Sequence, residues 1–171
     1  MEFFEVIQKR RSVRVFSSQP VAEEHLQQIL QAANQAPSAG NLQAYEIYLI
    51  KDAHNKEALA ECALGQNFLS QAPVVLAFCT HARRSQAKYE DRGVALYTIQ
   101  DTTIACTFAM LAATALGLAS VWVGAFDEGA AHQIIGSPPG VVPIALLPVG
   151  YAAEEPAERP RRRLEELVHI R

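Results

Sequence analysis

Two stretches near the start of the chain repeat their apolar residues at helical spacing. Residues 2–9 carry Phe3, Phe4 and Ile7 on one side of a short helix. Residues 21–35, opened by Pro20, repeat Leu26, Ile29, Leu30 and Ala33 at intervals of three and four. This second helix must stop at Ala36, because Pro37 disfavours helical geometry in the residue before it. The period then changes. "YEIYLI" (45–50) alternates, with Tyr45, Ile47 and Leu49 on one face and Glu46, Tyr48 and Ile50 on the other, and predicts a strand. "AHNKEALAECAL" (53–64) returns to a helix that Gly65 ends. "PVVLAFC" (73–79) is apolar on both faces, the pattern of a strand covered on both sides.

Residues 83–92 are polar and predict a mobile surface segment. The longest element runs from Val94 to Leu116, with Gly117 as its stop, and being apolar on nearly every side it needs partners all round. "ASVWVGAF" gives a third strand and a turn, and "EGAAHQII" a short helix ended by Gly136. "VVPIALLPVGY" gives a fourth strand in which Pro143 and Pro148 cannot donate to a regular ladder. Beyond Tyr151 the chain is rich in Glu, Pro and Arg and predicts an extended tail up to Leu164. The expected class is α+β: five or six helices around a sheet of about four strands, in one domain spanning residues 1–171.

Composition removes several functions. Half of the 171 residues are hydrophobic, 19% are charged and the net charge is −3, which argues against attraction to nucleic acid or to anionic membranes. Ile104–Phe126 contains no charge over 23 residues, long enough to cross a bilayer. It is rich in Ala and Thr, lacks Lys or Arg flanks and breaks at Gly117, so it reads as a buried helix followed by a buried strand. The first apolar run is too short, and too interrupted by acids, for a signal peptide. Cys62, Cys79 and Cys106 are widely spaced and predict reduced thiols in a cytoplasmic protein. The five histidines show no metal-ligand spacing, and no metal site is expected.

The positive charge is local. Nine of the 15 Lys and Arg residues lie in Lys9–Arg14 or in the last 13 residues, "RPRRRLEELVHIR". If the two ends meet they make an anion site; if they do not, they are two solvated basic ends. No GxGxxG follows a strand and no GxxxxGK[ST] exists, so a nucleotide-like anion would have to be held by side-chain cations. Arginine suits that task, since its planar fork matches two phosphate oxygens at once. The loop "APSAGNLQ" (36–43) is either an ordinary helix-to-strand turn or a surface on which backbone approaches a flat ligand. "VWVGAF" (121–126) puts Gly124 after a buried strand, a common arrangement that can also offer a backbone N–H.

Taken in order, these segments resemble the nitroreductase family of FMN-dependent oxidoreductases. The residues that carry the resemblance are Arg10-Arg11-Ser12-Val13-Arg14-Val15-Phe16 and Pro37-Ser38-Ala39-Gly40-Asn41-Leu42-Gln43. "LGQNFLSQAPVV" (64–75), "QDTTIACTFAMLAATALGLASVWVGAF" (100–126) and "LLPVGYAAEEP…RPRRRLEELVH" (146–169) come after them, so nearly the whole chain is covered. The resemblance implies an intertwined homodimer with an extended C-terminal tail and two non-covalent FMN sites in the subunit interface. It also implies hydride donation by NADH or NADPH and a small-molecule acceptor, nitroaromatic or quinone, reduced by a ping-pong mechanism.

Carried over residue by residue, Arg10 and Ser12 would contact phosphate and ribityl oxygens, with Arg11 also in the cofactor site, and Arg14 and Gln66 would lie at the pyrimidine edge of the ring. Val123 and Gly124 would approach the flavin at N5, with Arg14 and Gly124 the catalytic pair. Pro37, Ser38, Ala39 and Asn41 would come from the other subunit, and Arg159 and Arg161 from the tail would reach the phosphate. Two features depart from the family. Ala39 stands where a second serine is common, and the chain is short, with little room for segments that cover the flavin and select substrates. A specialised flavin reaction, or silent carriage of flavin, are the alternatives.

Overall fold

The computed structural model describes residues 1–171. Four strands, β1 (Tyr45–Ile50), β2 (Val74–His81), β3 (Ala119–Ser120) and β4 (Val141–Gly150), form one antiparallel sheet in the order β1-β2-β4-β3. β2 lies inside the sheet, and its alternate residues enter two different cores. Val74, Leu76 and Phe78 pack with α2 (Glu23–Asn34) and α6 (Thr98–Ala115), together with Ala145, Leu147 and Val149 of β4. Val75, Ala77 and Cys79 pack on the other side with α3 (Ala53–Cys62), α4 (Phe68–Gln71) and α7 (Glu128–Ile135). This two-sided cover is why the strand reads as a continuous apolar run. The three cysteines are free. Burial, with Glu46 adding its charge, pushes the Cys79 thiol up to about 12, and burial raises Cys106 as well, so neither is a ready nucleophile.

The prolines of β4 leave visible marks on the sheet. The register against β2 shifts between Phe78, which pairs Ala145, and Cys79, which pairs Pro143. On the other edge, β3 pairs Ser120 with Val149, then contact lapses opposite Leu147 and Pro148 and returns where Val123 bridges Leu146. A proline without an N–H cannot extend that ladder. The third strand is accordingly two residues long, shorter than its apolar run suggests.

Several sequence-based expectations need correction. In α1 (Phe3–Lys9) the supposed inner side, Phe3, Phe4 and Ile7, is exposed and only Val6 is buried. Residues 83–92 form a helix, α5 (Ala82–Arg92), and not a loose segment. It bends at Glu90 (φ 48°, ψ −138°) and passes through a wide turn at 93–97 into α6. The helix is held from its far end: the Tyr89 and Tyr97 rings meet edge to face at 5.0 Å, and Arg92 Nε donates to Tyr97 Oη at 3.0 Å. With α5 counted, there are seven α-helices rather than five or six. α6 buries Asp101, Thr102, Ala105, Cys106, Ala109 and Ala113, while Ile99 and Phe108, on opposite flanks of that buried face, stay exposed.

Candidate functional site

The chain after α1 is extended and gripped on both sides. Ser12 forms a parallel bridge with Ser120, and the Val13 N–H donates to Ser120 O at 3.2 Å. On the other side, Ser17 N–H donates to Tyr151 O and Ala153 N–H donates to Val15 O, both at 2.9 Å. Glu154 completes the clamp: its Oε1 accepts from the N–H of Arg14 and, at 3.2 Å, from that of Val15. These bonds lay the start of the tail along the basic loop, so the two basic segments are brought together.

Arg10, Arg11, Ser12 and Arg14 of the loop and Arg159 and Arg161 of the tail line one cavity of about 590 Å³. Glu154 and Glu158 are the acids in its wall, and Glu158 lies 3.7 Å from Arg11. Five guanidinium groups thus face two carboxylates, one of them already engaged by backbone N–H groups. Burial weakens the hold of Arg10 on its proton, and the charges of Arg161 and Arg11 act in the same direction. An anion in the cavity would relieve that repulsion and engage several planar forks at once. The basic loop and the tail's Arg159 and Arg161 thus meet at one cavity.

The second loop, 36–43, is shaped by backbone geometry. Gly40, Asn41 and Gln43 have φ of 56°, 58° and 49°, so two residues other than glycine sit in the left-handed region. Such a turn needs outside support. Ser38 Oγ accepts from Gln43 N–H at 3.0 Å, and Asp101 Oδ1 accepts from Ala39 N–H at 2.8 Å. Asp101 is only 2% exposed, and its Oδ2 has no partner. Pro37, Ser38 and Ala39 line an open cavity of about 610 Å³ with Tyr97, Asp101 and Ile104. This cavity shares no residue with the basic one, and Asn41 lines neither.

The third group is compact. Val123 exchanges backbone hydrogen bonds with Leu146 at 3.0 and 2.9 Å and is buried, which leaves it no free backbone donor. Its role is to fix Gly124, whose missing Cβ would lie 3.1 Å from Trp122 Nε1. Gln66 Nε2 donates to Ala63 O at 2.8 Å and to Ala125 O at 3.1 Å, so Gln66 and the Gly124 turn are neighbours. Sequence reasoning missed Glu154 and Asp101. Asp101 carried a signal, as the only charged residue from Thr98 to Ala115; Glu154, in "AAEEP", carried none.

The model of the Nitroreductase family matches residues 7–69 and 61–151, and the chain belongs to that family. It is 32% identical to an FMN reductase (NAD(P)H) of Bacillus subtilis over 181 residues, covering 98% of this chain and 73% of the relative. It is 33% identical to an NADH dehydrogenase of Thermus thermophilus over 187 residues, covering 94% and 91% of the two chains. Among solved structures it resembles the NADPH:FMN oxidoreductase from Vibrio harveyi complexed with NAD+, with a TM-score of 0.91, 26% identity and coverage of 98% and 76%.

Proposed function

We propose that this chain is an FMN-dependent oxidoreductase that takes hydride from NADH or NADPH and passes two electrons to nitroaromatic, quinone or similar small acceptors. The observation that carries the reading is the single cavity where the N-terminal basic loop meets the arginine-rich tail, in a member of the nitroreductase family. The names of its relatives, which speak of FMN, NADH and NADPH, support the cofactor and the donor.

The residues fit the group. Arg10, Ser12, Arg159 and Arg161 would hold the phosphate and the ribityl oxygens, in a cavity whose cations lack enough carboxylates. Bound FMN supplies the two-electron chemistry, with donor and acceptor using one site in alternation. Arg14, in the wall of that cavity, would set a positive charge beside the reduced ring, a preorganised stabilisation of the negative charge the ring gains. Gly124 offers its N–H without a side chain in the way, and Gln66 and Val123 hold that turn still.

Pro37, Ser38, Ala39 and Asn41 complete the site from the other subunit of a homodimer. Two observations support this. The two cavities of one chain have no wall in common. Phe3, Phe4 and Ile7 of α1, and Ile99 and Phe108 on the two flanks of the adjoining α6, are large apolar side chains left exposed in the single chain. Three unpaired thiols, two of them buried, support a cytoplasmic protein. The test is the visible spectrum of the purified protein. It should be yellow, release FMN on acid precipitation, and bleach when NADH or NADPH is added without oxygen. A colourless protein that ignores added FMN would overturn the reading.

A further inference from the structure

α5 carries a cluster of polar groups that the function above does not use. Of its cations, Arg84 lies 3.5 Å from Glu46 Oε1, and Arg92 donates to Tyr97 Oη. Lys88 takes part in no ion pair; its ammonium sits 5.3 Å from the centre of the Tyr89 ring. Tyr89 Oη makes no hydrogen bond. Both of these free heads converge on one point of the 36–43 loop: a Cβ on Gly40 would lie 2.6 Å from Lys88 Nζ and 2.6 Å from Tyr89 Oη. Glycine at position 40 leaves room for these two heads to rest against the loop backbone, at the rim of the 36–43 turn and outside the cavity wall.

The helix that presents them packs closely on the wide turn that follows it. Gly93 approaches Ser85 so closely that a Cβ there would meet Ser85 O at 2.8 Å, and the bend at Glu90 sets the direction in which the chain enters the wide turn. Tyr89 packs edge-on against Tyr97, which lines the same cavity as Pro37, Ser38 and Ala39. A free ammonium, a free phenol and two aromatic rings therefore flank the loop assigned to the flavin ring. An ammonium attracts an anion as a point charge, the phenol donates a hydrogen bond to it, and the rings accept a flat partner.

We infer that Lys88 and Tyr89 form an acceptor-recognition site that selects flat aromatic acceptors bearing an anionic substituent, such as a carboxylate or sulfonate. This rests on the flavin reading above, because it assigns the substrate of that same site.

The experiment uses the FMN-loaded protein with NADH as donor and compares kcat/KM for 4-nitrobenzoate with that for its neutral counterpart, 4-nitrobenzyl alcohol. The wild type should favour the benzoate. Lys88→Gln should lower the benzoate-to-alcohol ratio about fivefold, the scale of a charge-assisted contact discounted for exposure. Tyr89→Phe should lower it less and in the same direction, and added salt should lower the wild-type ratio. Lys51→Gln, whose ammonium pairs with Glu23 at 2.6 Å, should keep the wild-type ratio. An unchanged ratio in Lys88→Gln, with FMN bound and the alcohol reduced, would overturn the site alone. Absence of FMN and of turnover with either acceptor, in the wild type, would overturn the flavin reading and this site with it.

Discussion

The loop at 10–14 and the loop at 36–43 flank the same helix, α2, yet they are shaped by different means. The first takes its path from distant parts of the chain: Ser120 on one side, and Glu154 on the other, 140 positions from the Arg14 it holds. The second is a local turn with three positive φ values, closed by Ser38 within itself and by one buried carboxylate from α6. A charge-recognition site tolerates assembly from chain ends, because Coulomb attraction varies slowly with distance. Contact with a flat ring requires backbone fixed to within a fraction of an ångström, and a strained, externally fastened turn provides that. The basic half should therefore answer to the ligand's charge, and the small-residue half to its ring.

The largest separation between the halves is expected from Arg10→Ala. It should weaken FMN binding by about 1.5–3 kcal/mol, the value of a hydrogen bond to a charged group, and leave riboflavin affinity where it was. Fluorescence titration with both flavins checks this, and equal losses for the two would place Arg10 away from the phosphate. Asp101→Leu should cost about 1–2 kcal/mol against FMN and riboflavin alike, since it releases Ala39 and not a charge contact. Asp101→Asn, which retains an acceptor, should recover most of it; a loss confined to FMN would contradict the division.

Gly40→Ala tests the turn itself. With φ at 56° and two side-chain heads at the Cβ position, it should lower folding stability by about 1 kcal/mol, read as a shift of the denaturant midpoint. An unshifted midpoint would mean that the loop relaxes freely. The smallest effect belongs to Arg83→Ala, which lies in α5 outside both cavities and should change FMN affinity by less than about 0.5 kcal/mol.

The elements that period alone can reveal are legible in the sequence. β1 at 45–50 and the doubly buried β2 show as alternation and as an unbroken apolar run, and the helix before Pro37 ends where the proline requires. α5 escapes such a reading because its sequence, "ARRSQAKYEDR", has no apolar stripe; aromatic and cation contacts to Tyr97 hold it, and these arise from the fold. The outward face of α1 misleads for a related reason. Periodicity locates an apolar side without saying which surface covers it. In the site, arginines and small-residue loops are visible as composition, whereas Glu154 and Asp101 act on backbone N–H groups far away in sequence; Asp101 stands out only as the one charge in α6, and Glu154 not at all.

The central claim is that the two loops reach one flavin from two chains. α2 has 12 residues and spans about 18 Å, and the cavities lined by the loops before and after it have no residue in common. Arg10→Glu reverses a charge in the first loop, and Asn41→Asp alters the second while tolerating its left-handed backbone. Each homodimer should be inactive. In a mixed dimer one site collects both lesions and the other collects neither. Equal amounts of the two proteins, mixed under conditions that exchange subunits, should therefore recover about a quarter of wild-type activity, since random pairing makes half the dimers mixed and each has one intact site. No recovery, with exchange verified by mass spectrometry, would show instead that each site is built within a single chain.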